Sequence, residues 1–143
     1  MTCADRMTNV WRGEAVPQYL LDTTVIVDYL RGRRSVIELL TSLGQAGHRL
    51  GICCVSIAET YAGLHPQDRA KADLLIHGLE VYNISSEAAK IAGGLRYDFA
   101  RRGVTLHITD ALIASVAIEE KATLITANLK DFPMQDLQIM PQP

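Results

Sequence analysis

The sequence predicts an α/β protein in which parallel strands are joined by helical crossovers. Short apolar runs alternate with segments whose apolar residues recur every three to four positions, in the order strand, helix, helix, repeated and then closed by two strands. This alternation is typical of a parallel sheet, because parallel neighbours need a crossover between them. The 143 residues contain no repeat or internal linker and suit one domain that buries roughly two-thirds of its unfolded surface.

The first half of the domain is predicted to contain two strands and four helices. In order, these are a strand from Tyr19, helices over 23–31 and 35–46, a strand over 50–55, a helix from Ser56 and a helix over 66–78. The run over 50–55 is continuously apolar, which is typical of a strand buried on both faces. In the last helix we expect Ala70, Leu74 and Leu75 to face inward.

The second half is predicted to contain three strands and two helices. In order, these are a strand over 79–84, a helix that ends at Arg102, a helix from Thr109, and strands at 124–125 and 137–140. Ser85 or Ser86 can cap the first helix and Thr109 the second, because their hydroxyls accept hydrogen bonds from free backbone N–H groups. Residues 1–17 show no clear periodicity, so we expect a poorly ordered tail followed by a single domain over 18–143.

Composition excludes several classes of protein. The net charge of −2 excludes a strongly basic coat that binds nucleic acid by bulk electrostatics, although a local basic rim remains compatible with it. No apolar run approaches the roughly 18–20 residues that span a bilayer, and the N-terminus lacks the apolar core of a signal peptide. The three cysteines do not form a disulfide framework, and the histidines lack zinc-site spacing. We expect a protein of the reducing cytoplasm that does not enter the membrane.

Three acidic residues, Asp22, Glu59 and Asp110, each lie where an apolar strand gives way to a helix. A parallel sheet would bring them to one edge, the carboxyl edge at which open α/β sheets bind ligands. Carboxylates gathered there repel one another unless a cation lies between them. Oxygen ligands without thiolate or imidazole favour Mg²⁺ or Mn²⁺ over zinc. The pattern therefore predicts a divalent-metal site that can activate water against a phosphodiester.

Hydroxyl groups beside these acids favour the same interpretation. Thr24, Thr109 and Thr126 can donate hydrogen bonds to the carboxylates and orient them. The alternative is that each acid is a structural cap, because Asp and Glu at helix N-termini bind free amides and complement the helix dipole. That alternative is adequate for any single acid, whereas the joint pattern favours a metal-dependent α/β enzyme.

Four strings of residues resemble the motifs of PIN domains, particularly the VapC-type toxins of bacterial toxin–antitoxin pairs. The strings are LLDTTVIVDYL over 20–30, SIAET over 56–60, TDALIAS over 109–115 and TANLKDF over 126–132. Each string alone is a weak signal, but four of them in the expected order are specific. The resemblance covers about residues 19–141.

The resemblance implies a three-layer α/β/α fold with a five-stranded, mainly parallel sheet and helices on both faces. It implies a magnesium-dependent endoribonuclease that cleaves single-stranded RNA as the toxin of a toxin–antitoxin pair. It assigns catalytic and metal-binding roles to Asp22, Glu59 and Asp110, and the hydroxyl role of the first motif to Thr24. It also implies a homodimer and a cognate antitoxin that lays a helix in a groove near the site.

The fourth motif departs from part of the family, because Asn128 stands where some members have Asp. An amide is a neutral and weaker ligand, so we expect Asn128 to be a weak or outer ligand. Asp131 is the alternative ligand, unless it only caps the turn before Phe132. We therefore expect one tight metal site and at most a weaker second one.

Two pairs of basic residues are candidates for holding RNA: Arg33 with Arg34, and Arg101 with Arg102. The alternative for the second pair is a favourable interaction with the dipole of the helix that ends there. The antitoxin groove has its own candidates, although helical residues of this kind more often belong to the core. These candidates are Tyr29, Leu30, Val36, Leu39 and Leu40.

Two other functions stay open on sequence alone. One is a different metal-dependent phosphoesterase or DNA nuclease on the same scaffold. The other is a non-catalytic α/β binding module whose acids are structural caps. No histidine is placed to act as a general base, so for a ribonuclease we expect hydrolysis rather than cyclisation through the 2′-hydroxyl.

Overall fold

The computed structural model describes residues 18–143, and in that range it contains one five-stranded sheet in which all strands are parallel. The strands are β1 (Gln18–Leu21), β2 (Arg49–Cys53), β3 (Glu80–Tyr82), β4 (Thr123–Thr126) and β5 (Ile139–Pro141). They lie in the order β3-β2-β1-β4-β5. The chain therefore changes its direction of travel across the sheet at β1, and open α/β sheets bind ligands beyond such a switch point. The predicted tail, residues 1–17, lies outside the described residues.

Six α-helices connect the strands in the described region. They are α1 (Thr23–Leu30), α2 (Arg34–Gln45), α3 (Cys54–Ala62), α4 (Arg69–His77), α5 (Ser86–Arg101) and α6 (Ile108–Glu119). Two short 3₁₀ turns, Pro66–Asp68 and Leu129–Asp131, precede α4 and follow β4. The predicted order of strands and helices is confirmed. Between residues 18 and 143, no helix has both the length and the apolarity that crossing a membrane requires.

The helices cover both faces of the sheet, because successive strand residues point to opposite faces. Leu20 of β1 and its neighbour Leu124 of β4 pack into one core with α5 and α6. Leu21 and Ile125, one position further along, pack into a second core with α1 and α2. The three-layer α/β/α fold with a five-stranded parallel sheet is therefore confirmed.

The junction between β2 and α3 differs from the prediction. β2 ends at Cys53 and α3 begins at Cys54, two residues before the predicted start at Ser56. The apolar run extends through this boundary, so residue type does not mark it. Ser56 is fully buried inside the helix instead of opening it. Burial raises the pKa of the Cys53 thiol to about 11, so this cysteine stays protonated and packs as a small apolar side chain.

The inward face of α4 was predicted correctly for Leu75 but not for Ala70 and Leu74. Ala70 is exposed and Leu74 is 78% exposed, whereas Ala72 is fully buried. The helix meets the sheet through Ala72 and the half-buried Leu75 and Ile76, a spacing of three and four residues. Leu74 lies on the opposite side and is left as a large apolar side chain facing solvent.

The predicted cap of α5 is confirmed, whereas the predicted cap of α6 is wrong. Ser85 caps α5, because its hydroxyl accepts a hydrogen bond from the Ala88 N–H at 3.0 Å. Thr109 does not cap α6: the N-cap is His107, which makes no side-chain capping bond, and Thr109 lies within the first turn. The strand predicted over 79–84 is also shorter, since only Glu80–Tyr82 pair with β2.

Candidate active site

Asp22 lies directly after β1, the central strand, and begins α1 as its N-cap. Its Oδ1 accepts the backbone N–H of Thr23 at 2.8 Å. Its Oδ2 accepts the hydroxyls of Thr126 at 2.6 Å and of Thr24 at 3.4 Å. The residue is 4% exposed, and this burial raises the pKa of its carboxyl group, while the three hydrogen bonds oppose the rise. Asp22 is therefore a buried acid whose two oxygens are fixed in direction by protein donors.

The two hydroxyls that bind Asp22 also bind the backbone beyond β4. The Thr24 hydroxyl accepts the N–H of Ala127 at 3.2 Å. The Thr126 hydroxyl accepts the N–H of Asn128 at 3.0 Å. Each threonine thus donates to Asp22 and accepts from the next segment, so the loop that carries the fourth motif is tied to the first acid.

Glu59 lies on the exposed side of α3, in the element that follows the neighbouring strand β2. Its Oε1 accepts the hydroxyl of Thr23 at 2.8 Å. Thr23 therefore contacts both acids, since its backbone N–H binds Asp22 and its side chain binds Glu59. The sheet brings together two acids that are far apart in sequence, as the first and second motifs predict.

Asp110 lies in the first turn of α6 and is half-buried. Burial, and then the negative charges of Asp131, Asp22 and Glu59, raise the pKa of this carboxyl group to about 6, while His107 opposes the rise. Electrostatic repulsion of this kind requires short separations. Asp22, Glu59 and Asp131 therefore lie within electrostatic range of Asp110, and these four residues are called the acidic cluster.

The fourth motif contributes Asp131 to this cluster more directly than Asn128. Asp131 is half-buried at the end of the turn Leu129–Asp131, and its charge raises the pKa values of both Asp110 and Asp22. The Asn128 side chain is exposed and makes no hydrogen bond to the site in the described residues. Its backbone N–H donates to the Thr126 hydroxyl, and its carbonyl accepts the Asp131 N–H at 3.0 Å. The charge distribution therefore favours Asp131 over Asn128 as the metal ligand from the fourth motif.

The donor set of this cluster suits a hard divalent cation. It contains carboxylate oxygens and hydroxyls without a thiolate, and Mg²⁺ and Mn²⁺ prefer such ligands. The repulsion that raises the Asp110 pKa is the strain that a cation between the carboxylates would relieve. In residues 18–143, no three Asp, Glu, His or Cys side chains already converge on a single point.

The remaining predicted hydroxyl, Thr109, is half-buried beside Asp110. Its hydroxyl makes no hydrogen bond to any of the four acids in the described part of the chain. Of the predicted hydroxyl residues, Thr24 and Thr126 contact the site directly.

The first basic pair lies at the start of α2. Arg33 is exposed and forms an ion pair with Asp28, with 3.1 Å between Nη1 and Oδ2. Arg34 begins α2 and is also exposed. Neither side chain contacts the acidic cluster in the structure.

The second basic pair ends α5 and is held by aromatic rings. The Arg101 guanidinium lies 4.9 Å from the centre of the Tyr97 ring and donates to its hydroxyl at 2.6 Å. The Arg102 guanidinium lies 4.2 Å from the centre of the Phe99 ring. Both arginines therefore have partners within the chain, and neither contacts the four acids.

His107 is a residue of this region that the sequence interpretation missed. It is exposed at the N-cap of α6, and its charge lowers the Asp110 pKa against the effect of burial. Its position three residues before the acid of the third motif is the only sequence signal that could have identified it.

A family model and several relatives match the chain. The model of the PIN domain matches residues 19–133. Ribonuclease VapC19 of Mycobacterium tuberculosis is 34% identical over 122 residues, which cover 83% of this chain and 96% of the relative. Ribonuclease VapC2 of Rickettsia felis is 29% identical over 119 residues, which cover 80% of this chain and 89% of the relative.

Solved structures agree with these sequence matches. The crystal structure of VapBC2 from Rickettsia felis, bound to a DNA fragment from their promoter, has a TM-score of 0.79 and 27% identity, covering 88% of this chain and 99% of the matched chain. The DNA-bound VapBC structure from Salmonella typhimurium has a TM-score of 0.80 and 23% identity, covering 90% and 100%, and shows the shared fold. The resemblance seen in the four motifs is confirmed, and the chain belongs to the PIN-domain family, among relatives of the VapC type.

Proposed function

We propose that this protein is a metal-dependent endoribonuclease that cleaves single-stranded RNA and acts as the toxin of a toxin–antitoxin pair. The observation that carries the proposal is the acidic cluster of Asp22, Glu59, Asp110 and Asp131 at the carboxyl edge of the sheet. The names of the relatives, which are ribonucleases, favour RNA as the substrate over other phosphodiesters. A purely structural set of helix caps would not need four acids that repel one another.

The metal site is assigned to the same residues. Asp22, Asp110, Glu59 and Asp131 would hold Mg²⁺ or Mn²⁺, with Asn128 as an outer group. When bound, the ion would neutralise phosphodiester charge and lower the pKa of the attacking water. Asp22 is the fixed member, because three donors set the direction of its carboxylate. Thr23 links the two acids, because its hydroxyl donates to Glu59 and its backbone N–H donates to Asp22.

The reaction expected at this site is hydrolysis. A water molecule attacks phosphorus in line with the 3′ oxygen, the bond from phosphorus to that oxygen breaks, and the products carry a 5′-phosphate and a 3′-hydroxyl. Detection of a 2′,3′-cyclic phosphate among the products would contradict this route.

The site is tested by replacing Asp22 with Asn. The amide keeps the shape of the side chain but removes a charge and an acceptor, so we expect magnesium-dependent cleavage of single-stranded RNA to fall by at least about 100-fold. Asp73→Asn is the matched control, because Asp73 is exposed on α4 and lies outside the cluster. If Asp22→Asn cleaves RNA as fast as wild type, the assignment of the active site to these acids is wrong.

Comparing three substrates under magnesium separates RNA cleavage from related activities. Single-stranded RNA, flap DNA and a generic phosphate ester would each be incubated with wild type and Asp22→Asn. We expect turnover of RNA alone. Preferential turnover of DNA or of the small ester, lost in the variant, would assign a different phosphoesterase to the same acids.

The proposed antitoxin requires a surface near the site, and a cavity beside Glu59 offers one, while a second groove is lined by none of the four acids. A cavity of about 330 Å³ adjoins Glu59, and its apolar lining includes Val27, Leu30 and Leu64. A groove of about 300 Å³ lies between α1 and α4 and includes Tyr29 and Leu74. The solved relatives named above are toxin–antitoxin complexes, which favours a protein partner of this kind.

Two of the five residues predicted as candidates for the antitoxin groove belong to the core, which was the alternative for them. Val36 is fully buried and Leu40 is 5% exposed, so both belong mainly to the core. Tyr29, Leu30 and Leu39 are half-buried and stay available for contact. The protein is also expected to form a homodimer, which light scattering of the purified chain would test.

The exposed Leu74 gives a specific test of antitoxin binding. Leu74→Asp places a charge on the apolar groove, so inhibition by the antitoxin from the neighbouring reading frame should weaken by at least about tenfold. RNA cleavage without antitoxin serves as the internal control, because Leu74 lies away from the acids. Full inhibition of the variant would place the antitoxin elsewhere.

A further inference from the structure

The backbone at His107 is held firmly by its neighbours. Leu106, the preceding residue, is 4% exposed and packs into the core. The carbonyl of Leu106 accepts the Arg96 Nε–H at 3.0 Å. At the other end of this loop, the Val104 N–H binds the Phe99 carbonyl at 2.9 Å. His107 is therefore presented at a defined position beside the acidic cluster.

No hydrogen bond of the His107 side chain explains why a histidine occupies this position. It occupies the N-cap of α6 but makes no capping hydrogen bond. Ser, Thr, Asp or Asn would stabilise that position better. Within residues 18–143 the imidazole is exposed and makes no hydrogen bond, ion pair or ring contact. An aromatic ring held on a fixed backbone without an internal partner is available to a ligand.

Two exposed apolar side chains lie close in sequence to the acids. Ile108 is 48% exposed and lies two residues before Asp110. Leu129 is 45% exposed and lies two residues before Asp131. The acidic centre that binds a cation favours a ligand with anionic groups. The exposed apolar side chains favour a ligand that also has flat, weakly polar faces. A single strand of nucleic acid has this combination, with phosphates in its backbone and bases that present π-faces.

We propose that His107 is a substrate-binding residue, and that a nucleobase next to the scissile phosphodiester stacks on its imidazole ring. This inference rests on the RNA-cleaving function proposed above and deepens it. Histidine is one of the side chains on which unstacked RNA bases lie. Stacking uses the face of the ring and tolerates every base, so it contributes affinity without requiring a particular sequence. The nearby Tyr97 ring is already occupied by Arg101.

The test compares His107→Ala and His107→Phe with wild type, after the cut in a defined single-stranded RNA has been mapped. Removing the ring should lower kcat/KM by about tenfold, mainly through KM, and Phe should restore it to within about threefold of wild type. Replacing the bases that flank the cut by abasic ribose should lower the wild type to the level of His107→Ala and leave that variant unchanged. His77→Ala, an exposed histidine on α4, is the matched control and should equal wild type.

Each other outcome counts against the proposal in a recognisable way. If His107→Ala cleaves RNA like wild type, no base stacks on this ring. If Ala and Phe are equally impaired, the imidazole acts through hydrogen bonding or charge, and stacking is wrong. If the wild type neither binds nor cleaves RNA, the proposed function fails first and this inference fails with it. Thermal denaturation of each variant should stay close to wild type, because in residues 18–143 the side chain makes no hydrogen bond, ion pair or ring contact.

Discussion

At the scale of single residues, the site is organised around one buried carboxylate. Asp22 accepts a backbone N–H on one oxygen and two threonine hydroxyls on the other. The threonines in turn accept N–H groups from Ala127 and Asn128. The same hydrogen bonds therefore fix the first acid and position the segment that leads to Asp131. A change in one hydroxyl should disturb both.

Thr126→Val tests this coupling, because valine keeps the shape of threonine and loses the hydroxyl. The change leaves Asp22 without its shortest hydrogen bond, at 2.6 Å, and leaves the Asn128 N–H without its acceptor. We expect a loss of about 1.5–3 kcal/mol in the free energy of unfolding and of about 10- to 100-fold in kcat/KM for RNA. Thr126→Ser keeps the hydroxyl and is expected to retain most of the activity. Equal activity of the Val and Ser variants would mean that the bond has no positioning role.

At the scale of elements, the ends of the helices show where the sequence stores strain. α5 is followed by Gly103, which has a φ of +80° and terminates the helix in a conformation that glycine adopts without penalty. α6 ends in the same way, with the Ala122 N–H bound to the Ala117 carbonyl at 2.9 Å, but the left-handed position is Lys121 with a φ of +54°. A non-glycine residue there carries a steric penalty from its Cβ.

Lys121→Gly should therefore stabilise the protein. Removing the Cβ relieves the left-handed strain, and we expect a gain of about 0.5–1 kcal/mol, or roughly 2–4 °C in Tm. Gly103→Ala is the matched control with the opposite sign, and it should destabilise by about 1 kcal/mol. A Cβ at Gly103 would meet no atom within 4 Å, so the backbone conformation alone is tested. Calorimetry that shows the same sign for both changes would contradict this explanation.

Element order and the first three acids could be predicted from sequence, while several boundaries and contacts could not. Asp22 follows an apolar strand and precedes a helical pattern, and both signals are local. The start of α3 at Cys54 is hidden inside an apolar run, and the exposure of Leu74 depends on how α4 is rotated against the sheet. The approach of Asp131 to Asp110 depends on how the turn after β4 packs, which no spacing in the sequence specifies.

At the scale of the whole molecule, the sheet gathers charge that opposes its own folding. β1 and β4 are neighbours, and the helices that follow β1 and β2 carry Asp22 and Glu59 to the edge where α6 carries Asp110. Without a cation, the folded state holds repelling carboxylates that the unfolded chain separates. The proposed function therefore has a consequence for stability that is measurable without any RNA.

The pKa of Asp110 determines how the stability of the folded protein changes with pH. Its pKa is raised from 3.8 to about 6 in the folded protein, first by burial and then by the neighbouring acids. Between these values the folded state binds more protons than the unfolded state, so the stability contributed by this group is present below about pH 4 and is lost as pH rises through 6. At neutral pH the ionised carboxylate is destabilising in the absence of metal.

Asp110→Asn should remove this penalty. With EDTA present, we expect the variant to match wild type near pH 4 and to exceed it at pH 7.5 by about 1 kcal/mol once solvent screening is allowed for, which is roughly 3 °C in Tm. Mg²⁺ should reverse the order at pH 7.5, because ion binding stabilises the folded wild type by linkage while the variant has lost a ligand. Below pH 6 the ion must compete with the proton on Asp110, so its stabilising effect should shrink. A difference between the two proteins that stays constant across pH, with and without Mg²⁺, would mean that Asp110 does not belong to a metal-binding cluster.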